Sequence, residues 1–258
     1  MSEEREALRE KLLSPRKNGY DRIKAEELQA MERYCGLYKT FLQQGKTERE
    51  CARVAVELAE KAGFKPYERG MALAAGDKIY RVNRDKSVML AVIGRESLAQ
   101  GAHIVAAHID SPRLDLKPNP LYEDSELAYF KTHYYGGIRK YQWVTIPLEL
   151  HGVVALKSGK TVKVCVGNGP DDPVFTIDDL LPHLGAEQSK KPLGEAIPAE
   201  NLNILVGSRP LKDDEGSERV KLAILELLNR KYGIVEEDFI SAELCAVPNF
   251  KASDVGFD

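Results

Sequence analysis

Apolar side chains recur at helical spacing from about Lys24 to Gln44, where Leu28, Met31, Cys35, Tyr38, Phe41 and Leu42 share one face and Gly45 ends the run. A second helix is predicted to open on Thr47, with Glu50 three residues later as in a capping box. It carries Cys51, Val54, Ala55, Leu58 and Ala62 on its apolar face before Gly63. The period then shortens to two. Strands are predicted over residues 78–82 and 88–93, with turns at Gly76-Asp77 and Asn83-Arg84-Asp85, and the same sheet is expected to take in the apolar run that ends at Asp110. Two amphipathic helices followed by strands predict a layered α/β or α+β domain, with the helices lying on the sheet.

After Pro112 the texture changes. Lys117-Pro118-Asn119-Pro120 reads as a rigid extended link and a domain boundary. Short strand-like runs follow over residues 143–150, 152–156 and 161–166, separated by turn signals such as Lys157-Ser158-Gly159, which is the pattern of a small, mostly β unit. A helix is predicted over 217–232 with Gly233 as its stop, and a last strand over 239–247. The expected division is therefore one α/β layer system made of residues 1–116 and 243–258, with 117–242 inserted as a separate β-rich unit.

Composition narrows the class. The 258 residues fit one large domain or two smaller ones, and 43% hydrophobic with 30% charged residues is ordinary for a globular protein. A net charge of -3 with a pI near 6.0 gives no reason to expect a nucleic-acid or anionic-membrane partner. The first ten residues are charged with no apolar stretch, and no run approaches the roughly 20 residues that span a bilayer. Cys35, Cys51, Cys165 and Cys245 are widely spaced, which argues against a zinc knuckle or a disulfide framework and for a reducing cytoplasm.

The most specific chemistry lies at residues 104–112, Ile-Val-Ala-Ala-His-Ile-Asp-Ser-Pro. On a strand, His108 and Asp110 point to one face and Ile109 to the other. A neutral imidazole is a good zinc ligand, and a carboxylate beside it can fix its tautomer. The triplet by itself also fits a strand-end histidine bonded to a nearby aspartate. Its position after a buried run and before the Ser111-Pro112 stop favours the metal reading, because sites in open α/β sheets gather at the carboxyl ends of strands. His103 faces the other way and reads as structural, and His151 reads as a plain strand residue. Glu236-Glu237 fits a solvated loop or helix start, Gly167-Asn168-Gly169-Pro170 a turn, and no Gly-x-Ser-x-Gly elbow is present for a serine hydrolase.

Several segments together resemble the M18 metalloaminopeptidases, most closely the bacterial aminopeptidase 1 branch. They are Ala107-His108-Ile109-Asp110-Ser111-Pro112, Lys131-Thr132-His133-Tyr134-Tyr135-Gly136-Gly137-Ile138, and Ile177-Asp178-Asp179-Leu180-Leu181-Pro182-His183-Leu184. Tyr232-Gly233-Ile234, Asp238-Phe239-Ile240-Ser241-Ala242-Glu243-Leu244 and Asp254-Val255-Gly256-Phe257-Asp258 continue the likeness in order to the last residue. The resemblance implies a layered zinc-peptidase domain holding two zinc ions, interrupted by an inserted β-rich dimerisation domain, with peptide substrates and homo-oligomers built from dimers. His108 matches a zinc-ligand histidine and Asp110 the carboxylate that orients the catalytic site. His183 matches a histidine of the inserted domain, a metal ligand or a contact to a neighbouring subunit's substrate.

The family's bridging aspartate, glutamate pair, further acidic ligand and last histidine all lie beyond the segment that resembles residues 254–258. Asp258 is not read as the bridging ligand, and Glu236-Glu237 comes too early to be the glutamate pair. The expectation is thus an N-terminal fragment of a zinc-dependent aminopeptidase, incomplete and inactive by itself. The competing reading is a non-catalytic oligomerisation or interaction module derived from a peptidase.

Overall fold

The computed structural model describes residues 3–14 and 16–257. It divides into two compact units, Met1–Leu42 with Ser253–Asp258, and Gln43–Ala252. The first unit contains α1 (Glu3–Leu12) and most of α2 (Ala25–Gln44). The helical spacing read from Leu28 to Leu42 does produce a helix, yet none of its described residues is buried. Lys39 pairs with Asp254 within this unit.

The second unit opens with α3 (Glu48–Lys61), capped as the sequence predicts, since the Thr47 hydroxyl accepts from the Glu50 N–H. Then come β1 (Lys65–Pro66), β2 (Lys78–Asn83), β3 (Ser87–Val92), β4 (Arg113–Asp124), β5 (Leu127–Tyr135), β6 (Leu148–Ala155) and β7 (Thr161–Val166). The short α4 (Leu193–Ala196), β8 (Ile204–Gly207), α5 (Arg219–Tyr232) and β9 (Ala242–Pro248) complete it. The fold is mixed α/β. The first three strands form one sheet in the order β1-β2-β3, and the others form a six-stranded sheet in the order β7-β6-β9-β4-β5-β8.

The six-stranded sheet is antiparallel throughout, so paired residues share a face. One row, Val166, Leu150, Ala246, Leu114 and Tyr134, faces the apolar core, which is closed by Val220 and Leu228 of α5 with Trp143, Ile177, Ile234 and Phe239. The neighbouring row, Cys165, His151, Cys245, Asp115 and His133, lies on the opposite face. There α3 supplies Glu50 to His151.

Several expectations change. Residues 104–110 form no strand; Ile104 and Val105 are 84% and 99% exposed. No ladder partner for their N–H and C=O groups exists among the described residues, so the β2–β3 sheet does not extend to them. Residues 117–120 lie inside β4, where the prolines coincide with a shift of register between Leu116 and Leu121. The runs at 143–150 and 152–156 give one strand, Leu148–Ala155, because Gly152 is no break. It holds φ +142°, and a Cβ there would sit 1.9 Å from the Glu243 carbonyl oxygen. Strand β9 pairs with β6 along its whole length and with β4 at Leu114 and Asp115.

His151, read as a plain strand residue, is the centre of a buried polar cluster. Its Nδ1 lies 2.9 Å from Glu50 Oε1 and its Nε2 3.4 Å from Glu149 Oε1, while Lys46 Nζ is 3.3 Å from that same Glu149 oxygen. Burial opposes the charge on His151, but the Glu149 and Glu50 carboxylates beside the ring outweigh it and lift the pKa to about 9. Burial likewise opposes ionisation of Glu50, and its bond with His151 outweighs this to leave the carboxyl below its ordinary value.

Folded His151 holds its proton more tightly than an unfolded histidine, so its stabilisation is complete below about pH 6.5 and is lost as pH rises through about 9. The unfolding free energy from urea titration is expected to fall across that window by at most about 3.5 kcal/mol, while the His151 ring resonances titrate near its upper end; a ring titrating near its ordinary value refutes the assignment. Gly152→Ala is expected to destabilise the unit by about 3 kcal/mol or more, because backbone rather than a side chain must move. Urea unfolding with an unchanged midpoint would contradict it.

Candidate metal centre

Ser111-Pro112 leads directly into β4, whose first residue, Arg113, is in register with Tyr135, the last residue of β5. That pairing puts both side chains on one face. The Arg113 guanidinium carbon lies 4.1 Å from the Tyr135 ring centroid, a cation–π contact. Arg113 also donates through Nε to Asp115 Oδ1 at 2.7 Å, and its Nη1 is 3.3 Å from Glu48 Oε2. Tyr135 is therefore held by the sheet and by the first turn of α3.

The Tyr135 hydroxyl donates to Asp110 Oδ2 at 2.5 Å. The other oxygen, Oδ1, is 3.3 Å from His108 Nδ1, which in turn is 2.9 Å from the Asp110 carbonyl oxygen. A carbonyl only accepts, so the neutral ring carries its proton on Nδ1 and offers its lone pair at Nε2. This is the arrangement a metal-ligating histidine needs. The hydrogen bond from Tyr135 is the main reason that the Asp110 carboxyl lies below its ordinary range, with its own backbone N–H and His108 adding to it. The His108 side chain is 85% exposed, so Nε2 faces solvent.

His183 stands in an exposed turn after Pro182, closed by the Gly185 N–H to the Leu181 carbonyl. Among the described residues no three His, Cys, Asp or Glu side chains are grouped to hold a metal ion, so His183 is not joined to His108 and Asp110 in such a group. Glu236 and Glu237 form surface pairs with Lys221 and Lys157, in keeping with a solvated helix start. His103 is exposed in the same strandless segment as His108, and Asp258 lies outside the described residues. Strand register brings Tyr135 and Arg113 to Asp110, and register leaves no local signal in the sequence. A separate groove of about 390 Å³, lined by Glu50, Val56, Val82, Gly152, Val153 and Lys163 among others, includes neither His108 nor His183.

The family described as aminopeptidase I zinc metalloprotease (M18) matches residues 41–258. The chain belongs to the M18 aminopeptidases. A probable M18 family aminopeptidase 1 of Clostridium acetobutylicum is 50% identical over 251 residues, covering 96% of this chain and 54% of the relative. A crystal structure of the M18 aminopeptidase from Thermotoga maritima superposes with a TM-score of 0.86 at 43% identity, covering 94% of this chain and 52% of that one. Aminopeptidase I of Clostridium acetobutylicum gives 0.84 at 46% identity, with 95% and 55% covered. A Saccharomyces cerevisiae mApe1 solved as a dodecamer, 18% identical with a TM-score of 0.61 over 86% of this chain and 49% of that one, shares the fold. The chain spans about half the length of the curated M18 relatives it matches.

Because the His108 side chain is 85% exposed, His108→Ala is expected to change folding stability by less than about 0.5 kcal/mol. Equal urea midpoints for the two proteins would bear this out. A loss of several times that amount would assign His108 to the fold.

Proposed function

We propose that this chain contributes to a zinc-dependent aminopeptidase that removes N-terminal residues from peptides, with His108 as a metal ligand and Asp110 as the carboxylate that orients it. The observation that carries the reading is the His108 ring itself: Nδ1–H is engaged by Asp110, and Nε2 is left as an exposed lone pair. The family match through residues 41–258 supports it. Zinc bound there supplies Lewis-acid polarisation of a peptide carbonyl and activation of water at neutral pH. The residues of this chain hold one ligand nitrogen open, fix its tautomer and keep a carboxylate ionised beside it.

A catalytic zinc normally takes three protein ligands with one position open. His108 and Asp110 fall short of that set, and in this reading the missing ligands, including those of a second zinc, belong to the part of the relatives that this chain does not cover. His183 acts as a further metal ligand or a substrate contact only after assembly, reaching a neighbouring subunit's site. Residues 117–242 serve as the inserted dimerisation domain, between 1–116 and 243–258 of the peptidase domain, in a cytoplasmic homo-oligomer built from dimers. The yeast protein of the same fold, solved as a dodecamer, supports a homo-oligomer.

Zinc content and hydrolysis of an amino-acid amide, measured on the 258-residue chain and on a chain lengthened to the span of its relatives, test the proposal. The longer protein is expected to be active and to lose at least about 100-fold on His108→Ala, more than the loss typical of an outer-shell partner. The shorter one is expected to bind no tight zinc and to be inactive. Chelator-sensitive hydrolysis by the shorter chain would refute the incomplete-site reading, and stable dimers of the longer chain without zinc or hydrolysis would favour an interaction module. Mixing inactive His108→Ala and His183→Ala subunits should restore part of the activity if the two residues act across an interface.

A further inference from the structure

The segment that carries His108 has no secondary structure of its own, and residues 101–108 are all exposed. A ligand on such a segment loses its aim unless something rigid holds it. The described bond from this segment to the body of the six-stranded sheet is Tyr135 Oη–H to Asp110 Oδ2. Tyr135 ends β5, its backbone is paired with Arg113, and its ring lies against the Arg113 guanidinium. Arg113 is fixed in turn by Asp115 and Glu48.

We propose that Tyr135 is a positioning residue: by holding one oxygen of Asp110 it turns the other oxygen and the Asp110 carbonyl toward His108 Nδ1, and so keeps the imidazole proton off Nε2. The division of labour is set by the two carboxylate oxygens. Oδ2 is taken by the phenol, and Oδ1 remains for the histidine. Were Asp110 free to rotate, either oxygen could face solvent, and His108 would relax toward the Nε2–H tautomer that free imidazole favours in water. That form offers no lone pair at Nε2. The proposal rests on the reading of His108 as a metal ligand for its purpose, but its geometry stands without it.

The test uses the 258-residue chain without metal. The side-chain carbon and nitrogen chemical shifts of His108 at pH 8 report its tautomer directly. The Nδ1–H form is expected to predominate, and Tyr135→Phe is expected to shift the ratio of the two forms about threefold to tenfold toward Nε2–H, the range set by one hydrogen bond. Asp110→Asn, made at the other end of the same bond, should shift it in the same direction. Tyr80→Phe, which removes a comparable phenol bond to Glu60 away from the site, should leave it unchanged. The Tyr135 side chain is partly exposed, so its phenylalanine variant is expected to keep the parent urea midpoint. An unchanged His108 tautomer in a folded Tyr135→Phe protein overturns the proposal, whatever the peptidase assays give. A shifted tautomer in a protein whose lengthened form binds no zinc leaves Tyr135 a positioning residue and removes the peptidase reading alone.

Discussion

Two glutamates, a histidine and a lysine meet in a space almost closed to water: Glu50 from α3, Glu149 and His151 from β6, and Lys46 from the turn before α3. Each of these charges would be costly to bury alone, and removing one would leave the others uncompensated. With His151 protonated the four charges cancel. The cluster therefore fixes where α3 begins more strictly than apolar contacts could, because an apolar helix face can slide and a bonded carboxylate cannot. Lys46 extends the constraint to the end of β9, donating to the carbonyls of Pro248 and Phe250, and Asn249 reaches Glu149 from the same segment.

The placement of α3 is what the candidate site inherits. Glu48, two residues before Glu50, meets Arg113 at the start of β4, and Lys86 links Glu48 to Glu243 of β9, which Arg49 also holds. Single exposed pairs of this kind contribute little. Here they share partners, and they converge on Arg113, whose guanidinium lies on the Tyr135 ring. A continuous series of contacts thus runs from the buried histidine through the first turn of α3 to the phenol that holds Asp110. His108 and Asp110 stand on a segment without secondary structure, and their orientation comes from the sheet.

The sequence made the local elements readable and the long-range ones not. Helices α3 and α5 and strands β2, β3 and β7 follow from periodicity, a Thr47 cap and a Gly233 stop in the left-handed conformation. Sheet order joins segments as distant as Leu114 and Ala246, and nothing near either residue announces the other. The errors share that origin. Gly152 looked like a break because glycine usually is one, whereas here it admits the backbone of β9; Pro118 and Pro120 looked like a link because they remove donors, whereas the strand absorbs them at a change of register. The apolar run before His108 predicts a buried strand, whereas its residues lie exposed outside the sheet. For the site, His108 and Asp110 were visible as a spaced pair, but Tyr135 and Arg113 reach them only through register. Glu149 and His151, two apart on one strand face, were a readable pair whose partner Glu50 was not.

The exposed run explains why a positioning bond matters more here than it would on a paired strand. A strand within a sheet loses its backbone freedom when the sheet forms, so a histidine on it meets a metal already ordered. Residues 104–107 have no such partners among those described, and ordering each residue later costs about 1–2 kcal/mol of backbone entropy. With His108 as a ligand, as proposed, that cost falls on metal binding unless it is met in advance. A bond from Asp110 to a sheet-held phenol, with the imidazole proton drawn to the Asp110 carbonyl, orders these two residues before any ligand arrives.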